Sequence, residues 1–338
     1  MPDNNAVLRL ALPSKGALEQ PSLDFLASAG MKVYKPNRRQ YSATIALLPG
    51  IEVIFQRASD IFNKVAEGSA DLGITGLDVV SEARDERDPV IVVDRLGFGG
   101  CDLVVAVPDS WVDVSSLADL ADLSLAFKAR GGDMRIVTKY PNLAREWLYE
   151  KGIVYFSLVN ADGALEAAPG MGYADLIIDL AETGTTLREN RLKTIEHGTL
   201  LKSEACLIGN ALTLQGDLQK RQLTRHMLEL IEGHRRAQKY AAVVANVQGA
   251  SVEQVGDLLN RQPALAGIVG PGVTHIHPKA ASSAWYEVNI LVERVNLLRV
   301  IEHLRGVGGT DISVFAPDYV FDARSHIFDE LCAGLDAF

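Results

Sequence analysis

Asp175-Leu176-Ile177-Ile178-Asp179-Leu180-Ala181-Glu182-Thr183-Gly184-Thr185-Thr186-Leu187 is the stretch on which the reading of this chain turns. An apolar strand, Leu176–Ile178, runs into a turn of small and hydroxyl residues, and a helical pattern follows. Such a turn can aim backbone N–H groups and threonine hydroxyls at one phosphate, and the helix start adds a favourable dipole. The acids Asp179 and Glu182 suit ribose hydroxyls, because carboxylates accept their hydrogen bonds. One loop would then hold a ribose 5-phosphate at both ends. The plainer alternative is a helix N-cap, with Thr183 or Thr185 capping and Glu182 on the surface.

Outward from this loop, short β-branched runs alternate with helical patterns. Leu8–Leu12 reads as a strand and leads through Ser14-Lys15-Gly16 into a helix over about Pro21–Ala29. Ile51–Phe55, Leu72–Thr75, Ile91–Val93, Leu103–Val107, Leu123–Phe127 and Ile153–Leu158 read as further strands, and Ile61–Glu67 as a helix. This alternation predicts α/β units with mainly parallel sheets. From Gln215 to about Tyr240 the pattern is one long charged helix, with Leu223, Met227, Leu230 and Ile231 at helical spacing. Beyond it, strands at Ala241–Ala245, Pro271–Ile276, Trp285–Leu291 and Ile312–Phe315 and helices at Val252–Leu259 and Val295–Leu304 give the order β-α-β-β-α-β, a ferredoxin-like arrangement. Asp318–Phe338 reads as a short helix of unassigned role, and no internal repeat shows.

The bulk properties narrow the function. The 338 residues suit two or three domains. A formal charge of −10 argues against general binding to nucleic acid or an anionic membrane. Cys101, Cys206 and Cys332 lie far apart, so neither a disulfide framework nor a zinc site is expected, and Cys101 reads as a buried strand residue. His275 and His277 alternate on one strand face and read as surface or packing residues. The polar N-terminus and the lack of a long apolar run lead us to expect a cytoplasmic chain.

Several motifs recur in one order. They are Pro13-Ser14-Lys15-Gly16-Ala17-Leu18, Arg57-Ala58-Ser59-Asp60-Ile61, Ala70-Asp71-Leu72-Gly73-Ile74-Thr75-Gly76-Leu77-Asp78, Leu96-Gly97-Phe98-Gly99-Gly100-Cys101-Asp102-Leu103 and Arg135-Ile136-Val137-Thr138-Lys139-Tyr140-Pro141-Asn142-Leu143. Glu166, Pro169, Gly172, Ala174 and Asp175 lead up to the loop, where Asp179, Thr183, Gly184, Thr186 and Leu187 follow an aspartate, then [ST]-G-x-T-L pattern. Together these resemble the ATP phosphoribosyltransferases, long form, over about Leu8 to Leu187.

The resemblance implies an α/β catalytic part of the two-lobed periplasmic-binding-protein kind plus a C-terminal ferredoxin-like (βαββαβ) regulatory domain. Lobe I would span 1–103 and 193–212, lobe II 104–192, a connector helix 213–238, the regulatory domain 239–318 and a tail 319–338. It further implies transfer of the 5-phosphoribosyl group from phosphoribosyl pyrophosphate to N1 of ATP, the first step of histidine biosynthesis, with Mg²⁺ carried by the substrate. Phosphoribosyl pyrophosphate would meet Asp179, Glu182, Thr183, Gly184, Thr185 and Thr186. ATP would meet Lys15, Gly16, Arg57, Asp71, Gly76 and Asp78. A surface Arg57–Asp60 ion pair, and capping by Asp71 and Asp78, are the plainer alternatives. Ser59 stands where some relatives carry a cation, which would leave phosphate holding to Lys64 or another subunit.

The region after Lys239 resembles the family's effector domain more weakly. Asn246 replaces an acid used by some relatives for the effector amine, and Thr274 lies in the strand that would bind histidine. A homo-oligomer, dimer or hexamer, is implied. No side chain is named as a general base. The competing readings are a two-lobed small-molecule binder and a regulatory subunit without catalysis; the missing signal peptide and helix-turn-helix, and the intact loop, argue against them.

Overall fold

The computed structural model describes residues 7–35, 37, 40–83, 89–160, 163, 165–277 and 284–336. Residues 337–338 of the expected tail helix lie outside them.

The first stretch alternates β1 (Leu8–Pro13), α1 (Glu19–Ser28), β2 (Val33–Tyr34), β3 (Ser42–Ile45), β4 (Ile51–Gln56), α2 (Ala58–Ala66), β5 (Leu72–Gly76), α3 (Leu77–Ala83) and β6 (Val90–Val93). The second runs β7 (Cys101–Pro108), α4 (Leu117–Ala129), β8 (Met134–Thr138), α5 (Pro141–Glu150), β9 (Phe156–Asn160), α6 (Ala168–Met171), β10 (Leu176–Ala181), α7 (Thr185–Glu189) and β11 (Leu192–Ser203). The chain then returns through β12 (Ala205–Gly209), α8 (Ala211–Gly216) and α9 (Leu218–Ala237). The last part holds β13 (Tyr240–Gln248), α10 (Val252–Asn260), β14 (Gly272–Ile276), β15 (Trp285–Glu293), α11 (Leu297–Gly306), β16 (Thr310–Phe315) and α12 (His326–Asp336).

The strands form a seven-stranded sheet, β2-β3-β4-β1-β5-β12-β6, a five-stranded sheet, β11-β7-β10-β8-β9, and a four-stranded sheet, β14-β15-β13-β16. The chain is thus mixed α/β. Two compact units emerge: residues 1–27, 31–223 and 331–338 in one, 28–30 and 224–330 in the other, the division at 223/224 falling inside α9.

In the first unit, parallel pairs β1/β4, β1/β5, β8/β9 and β8/β10 set the loops that follow β1, β4, β5, β8 and β10 at the carboxyl ends of their sheets. Both faces of the five-stranded sheet are covered, one by a core around Leu103, Ile136 and Ile178, the other by a core around Val137, Ile177 and Leu187. That double coverage explains the continuous apolar run Leu176–Ile178.

One short device occurs in both sheets. Before β5, the Asp71 N–H donates to the Arg9 carbonyl (2.9 Å) while the Asp71 carboxylate accepts the Arg9 N–H (2.7 Å). Before β10, Asp175 does the same with Arg135, at 2.8 and 2.7 Å. The shared Ala-Asp-Leu at 70–72 and 174–176 is therefore a strand-entry staple, a local repeat that the sequence reading passed over.

The structure corrects one expected element. Leu123–Phe127, read as a strand, lies within helix α4. Its apolar alternation mimics a strand, but a capping box at Ser116 and Asp119 starts a helix, and Ser124 donates from that helix to the Tyr155 carbonyl (3.1 Å). The strand in this part is β8, over Met134–Thr138.

The second unit has the element order β-α-β-β-α-β, with every strand pair antiparallel. Alternate residues Val243, Ala245 and Val247 of β13 face a core shared with Val255, Leu259, Val300 and Leu304, and the intervening residues stay on the other, less buried face. Among the described residues, no helix is long and apolar enough to cross a membrane.

Candidate active site

The candidate site begins where β10 ends. Asp179 is a strand residue, paired with Val104 of β7, and its Oδ1 accepts the Leu180 N–H at 2.9 Å. Burial pushes its carboxyl above the ordinary carboxylate range; the Leu180 N–H and the Lys139 charge act the other way, and Glu166 adds to the rise. Past Ala181, Glu182 and Thr183 are exposed. Gly184 caps α7 at φ 68°, ψ 8°, a left-handed conformation that glycine takes without a Cβ penalty. The Thr183 and Thr185 hydroxyls lie 3.0 Å apart, and the Arg188 guanidinium donates to Thr185 Oγ1 at 3.1 Å. A first helical turn leaves N–H groups without intrahelical partners, so the loop presents amides, hydroxyls and one guanidinium together.

On the seven-stranded sheet, Lys15 and Gly16 follow β1 and are exposed, with Gly16 at φ 85°. Arg57 follows β4, is exposed, and stands at the N-cap of α2 without a side-chain cap bond. Among the described residues no ion pair joins Arg57 to Asp60, which instead accepts the Ser59 hydroxyl at 3.0 Å. Lys64 pairs with Glu67 at 3.2 Å.

The other expected ATP residues behave differently. Asp71 stands at the amino end of β5, opposite Gly76, roughly 16 Å away at about 3.3 Å per strand residue. It is 2% exposed and held by the Arg9 N–H and by Lys220 Nζ at 2.9 Å. The structure therefore does not bring Asp71 together with Lys15, Gly16, Arg57 and Gly76. Asp78, in α3, follows the carboxyl end of β5 but is 5% exposed, with both carboxylate oxygens engaged. Its Oδ2 accepts Tyr140 Oη at 2.8 Å, and its Oδ1 accepts Ser203 Oγ at 2.7 Å. Gly76 serves this arrangement: a Cβ there would come within 2.2 Å of Asp78 Oδ1. Cys101 pairs in register with Ser203, and its thiol is pushed up to about 11, by burial and then by Asp78, so it stays protonated at neutral pH.

Four residues that the sequence reading did not single out join the site. Tyr140 and Lys139 lay in a quoted motif, and Arg188 lies one helical turn past Gly184. Ser203 carried no signal, because it meets Asp78 across 125 residues of chain.

In the second unit, Asn246 Nδ2 donates to Asp311 Oδ2 at 3.3 Å. Asn246 and Thr274 both sit opposite Glu287, one on each side of β15. The register therefore lines up Asn246, Glu287 and Thr274 on the face away from the helices.

Comparison with known proteins gives the same architecture a family. The model described as ATP phosphoribosyltransferase matches residues 57–233, and that of the HisG C-terminal domain matches residues 237–316. The chain belongs to the ATP phosphoribosyltransferase family. It is 37% identical over 334 residues to ATP phosphoribosyltransferase 2, chloroplastic, of Arabidopsis thaliana, covering 97% of this chain and 80% of that protein. It is 36% identical over 339 residues to the ATP phosphoribosyltransferase of Bradyrhizobium sp. (strain ORS 278), covering 98% of each. A solved structure of the ATP phosphoribosyl transferase (HisG:HisZ) complex from Thermotoga maritima aligns with a TM-score of 0.52 at 25% identity, over 67% of this chain and 96% of that one. The two matched models divide near the end of α9. As an ATP phosphoribosyltransferase, the chain is a pentosyltransferase of histidine biosynthesis, joining the phosphoribosyl group of phosphoribosyl pyrophosphate to N1 of ATP with release of pyrophosphate.

Proposed function

We propose that phosphoribosyl pyrophosphate binds at the β10–α7 loop. Its 5-phosphate meets the Thr183–Thr186 amides and hydroxyls, with Arg188 alongside, and its ribose hydroxyls meet Asp179 and Glu182. The observation that carries this reading is the Thr183-Gly184-Thr185 turn, left-handed at Gly184 and flanked by a buried carboxylate. ATP lies toward Lys15, Gly16, Arg57 and Gly76, where two exposed cations face the carboxyl end of the larger sheet. Asp71 and Asp78, whose carboxylates are taken up by protein partners, are left out of direct ATP contact.

In this reading N1 of ATP displaces pyrophosphate from C1 of the ribose. Positive charge develops on the sugar, and the protein contributes by orientation and fixed electrostatics. Mg²⁺ bound with the substrate would supply charge neutralisation of the pyrophosphate. In this reading the phosphate oxygens of the substrate would carry the ion.

The second unit binds histidine as a feedback effector on the face that carries Asn246 and Thr274. Glu287 and Asp311 supply the carboxylates that Asn246 lacks. The working enzyme is a cytoplasmic homo-oligomer, dimer or hexamer. Incubating the purified chain with ATP, phosphoribosyl pyrophosphate and Mg²⁺ should produce an N1-ribosylated adenine chromophore. A folded, assembled chain that produces none would remove the loop assignment.

A further inference from the structure

The five- and seven-stranded sheets of the first unit are joined by two crossing segments: β6 to β7, over residues 94–101, and β11 to β12, at Ser203-Glu204-Ala205. These segments hold one another. The Leu96 N–H donates to the Ala205 carbonyl at 2.8 Å, the Ala205 N–H to the Phe98 carbonyl at 3.0 Å, and the Gly97 N–H to Glu204 Oε1 at 3.1 Å. The first residue of α3 is tied to the same place, because the Leu77 N–H donates to the Glu204 carbonyl at 2.9 Å. Paired double crossings of this kind are where one sheet can swing against the other.

Asp78 sits on this hinge with its two oxygens divided. Oδ1 takes the hydroxyl of Ser203, a hinge residue whose oxygen in turn accepts the Asp78 N–H at 2.9 Å. Oδ2 takes the hydroxyl of Tyr140, the N-cap residue of α5 on the opposite sheet. The contact is reinforced one turn along α3, where the Glu82 carboxylate accepts the Asn142 N–H (2.9 Å) and the Leu143 N–H (3.0 Å). Tyr140 also ties the turn between β8 and α5: its N–H donates to Thr138 Oγ1 at 3.0 Å, and Lys139 lies between them. Nearly buried and doubly bonded, the Asp78 carboxylate is poorly placed to meet a ligand and well placed to set an angle.

We infer that Ser203, Asp78 and Tyr140 form a bridge across the hinge that sets the spacing between the ATP side and the phosphoribosyl loop, and that all three are positioning residues for the transfer. This rests on the ligand placement proposed above. A bridge of this kind matters little to either ligand bound alone and greatly to the pair, because a misplacement of about 1 Å can cost on the order of 10²-fold in rate.

The test uses the full chain with Tyr140→Phe and Asp78→Asn, measuring the binding of ATP alone and of phosphoribosyl pyrophosphate alone, turnover, and hydrogen exchange over residues 77–83, 94–101 and 203–209. Both variants should lose roughly 10- to 100-fold in kcat, bind each single ligand nearly as the wild type does, and exchange faster at the hinge. Loss of ATP affinity in Asp78→Asn but not in Tyr140→Phe would make Asp78 a ligand contact and overturn the bridge. Unchanged kcat with only a lower Tm would reduce it to packing and overturn it equally. If Asp78→Asn does not fold, Tyr140→Phe, which removes one hydroxyl, decides by itself. A wild-type chain without turnover would remove the functional reading, and hinge exchange in the variants would then judge the bridge, unchanged exchange refuting it.

Discussion

Replacing Asp179 by asparagine separates binding from folding at one atom. The residue is held in the strand by its pairing with Val104, and its Oδ1 accepts the Leu180 N–H at 2.9 Å, a bond that an amide oxygen keeps. What is lost is charge. Burial has raised the carboxyl's pKa in the folded chain, so the folded state holds its proton more tightly than the unfolded state does. Stability linked to this group is therefore full below the ordinary carboxylate pKa and is lost as pH rises through the raised folded value. At neutral pH the charged form is a cost to folding, and Asp179→Asn should leave Tm unchanged or raise it. Binding should go the other way. A hydrogen bond to a charged group contributes about 1.5–3 kcal/mol, so phosphoribosyl pyrophosphate should bind roughly 10- to 100-fold more weakly, while ATP binding changes much less. Wild-type affinity for phosphoribosyl pyrophosphate should also fall as pH drops through the raised pKa, and the asparagine variant should lack that step. Isothermal titration of both ligands at several pH values, beside thermal melts, reads all three effects. An equal loss for both ligands, a loss confined to ATP, or a lower Tm without ligand selectivity would refute the ribose assignment.

Gly184→Val places a β-branched side chain at φ 68°, where L residues pay about 1–2 kcal/mol; the new Cβ meets only the Arg188 guanidinium, at 3.7 Å, so the fold should survive while turnover is abolished, and wild-type activity in a folded variant would remove the loop assignment. Asp71→Ala leaves Lys220 and the Arg9 N–H without their buried acceptor, so unfolding in urea should show a loss of about 3–5 kcal/mol; the KM for ATP should hold, and a selective rise in it would restore Asp71 to the ATP site. Millimolar histidine should inhibit the full-length chain, and Asn246→Ala or Thr274→Val should relieve it; no response in the unaltered chain would leave the second unit an oligomerising role instead.

Where sequence and structure part company has local causes. Leu192–Ser203 does not show as a strand in the sequence, because its register shifts twice against β7 and this breaks the two-residue periodicity that marks a strand. Leu123–Phe127 shows that periodicity and is helical, because the capping box seven residues upstream decides the element. The long helix after Gln215 and the strands of the second unit were legible, since α9 has a clear apolar stripe and β13 alternates cleanly between a buried and an open face.

Taken alone, the sequence carried the family, through motifs spread in order over Leu8–Leu187, and the α/β class, through alternating strand and helix patterns; the turn after Leu176–Ile178 was legible because a strand, a glycine and hydroxyl residues within a dozen positions form one local unit. Tertiary structure decided which acids remain open to a ligand. Asp71 and Asp78 lie in a single motif and look alike along the chain. One stands at the entry of β5 against Lys220, 149 residues away, and the other at its exit between Tyr140 and Ser203, 62 and 125 residues away. Spacing along a strand shows which face a side chain takes. Which partner neutralises it depends on chain crossings that no local pattern encodes, and a buried carboxylate is held by those partners.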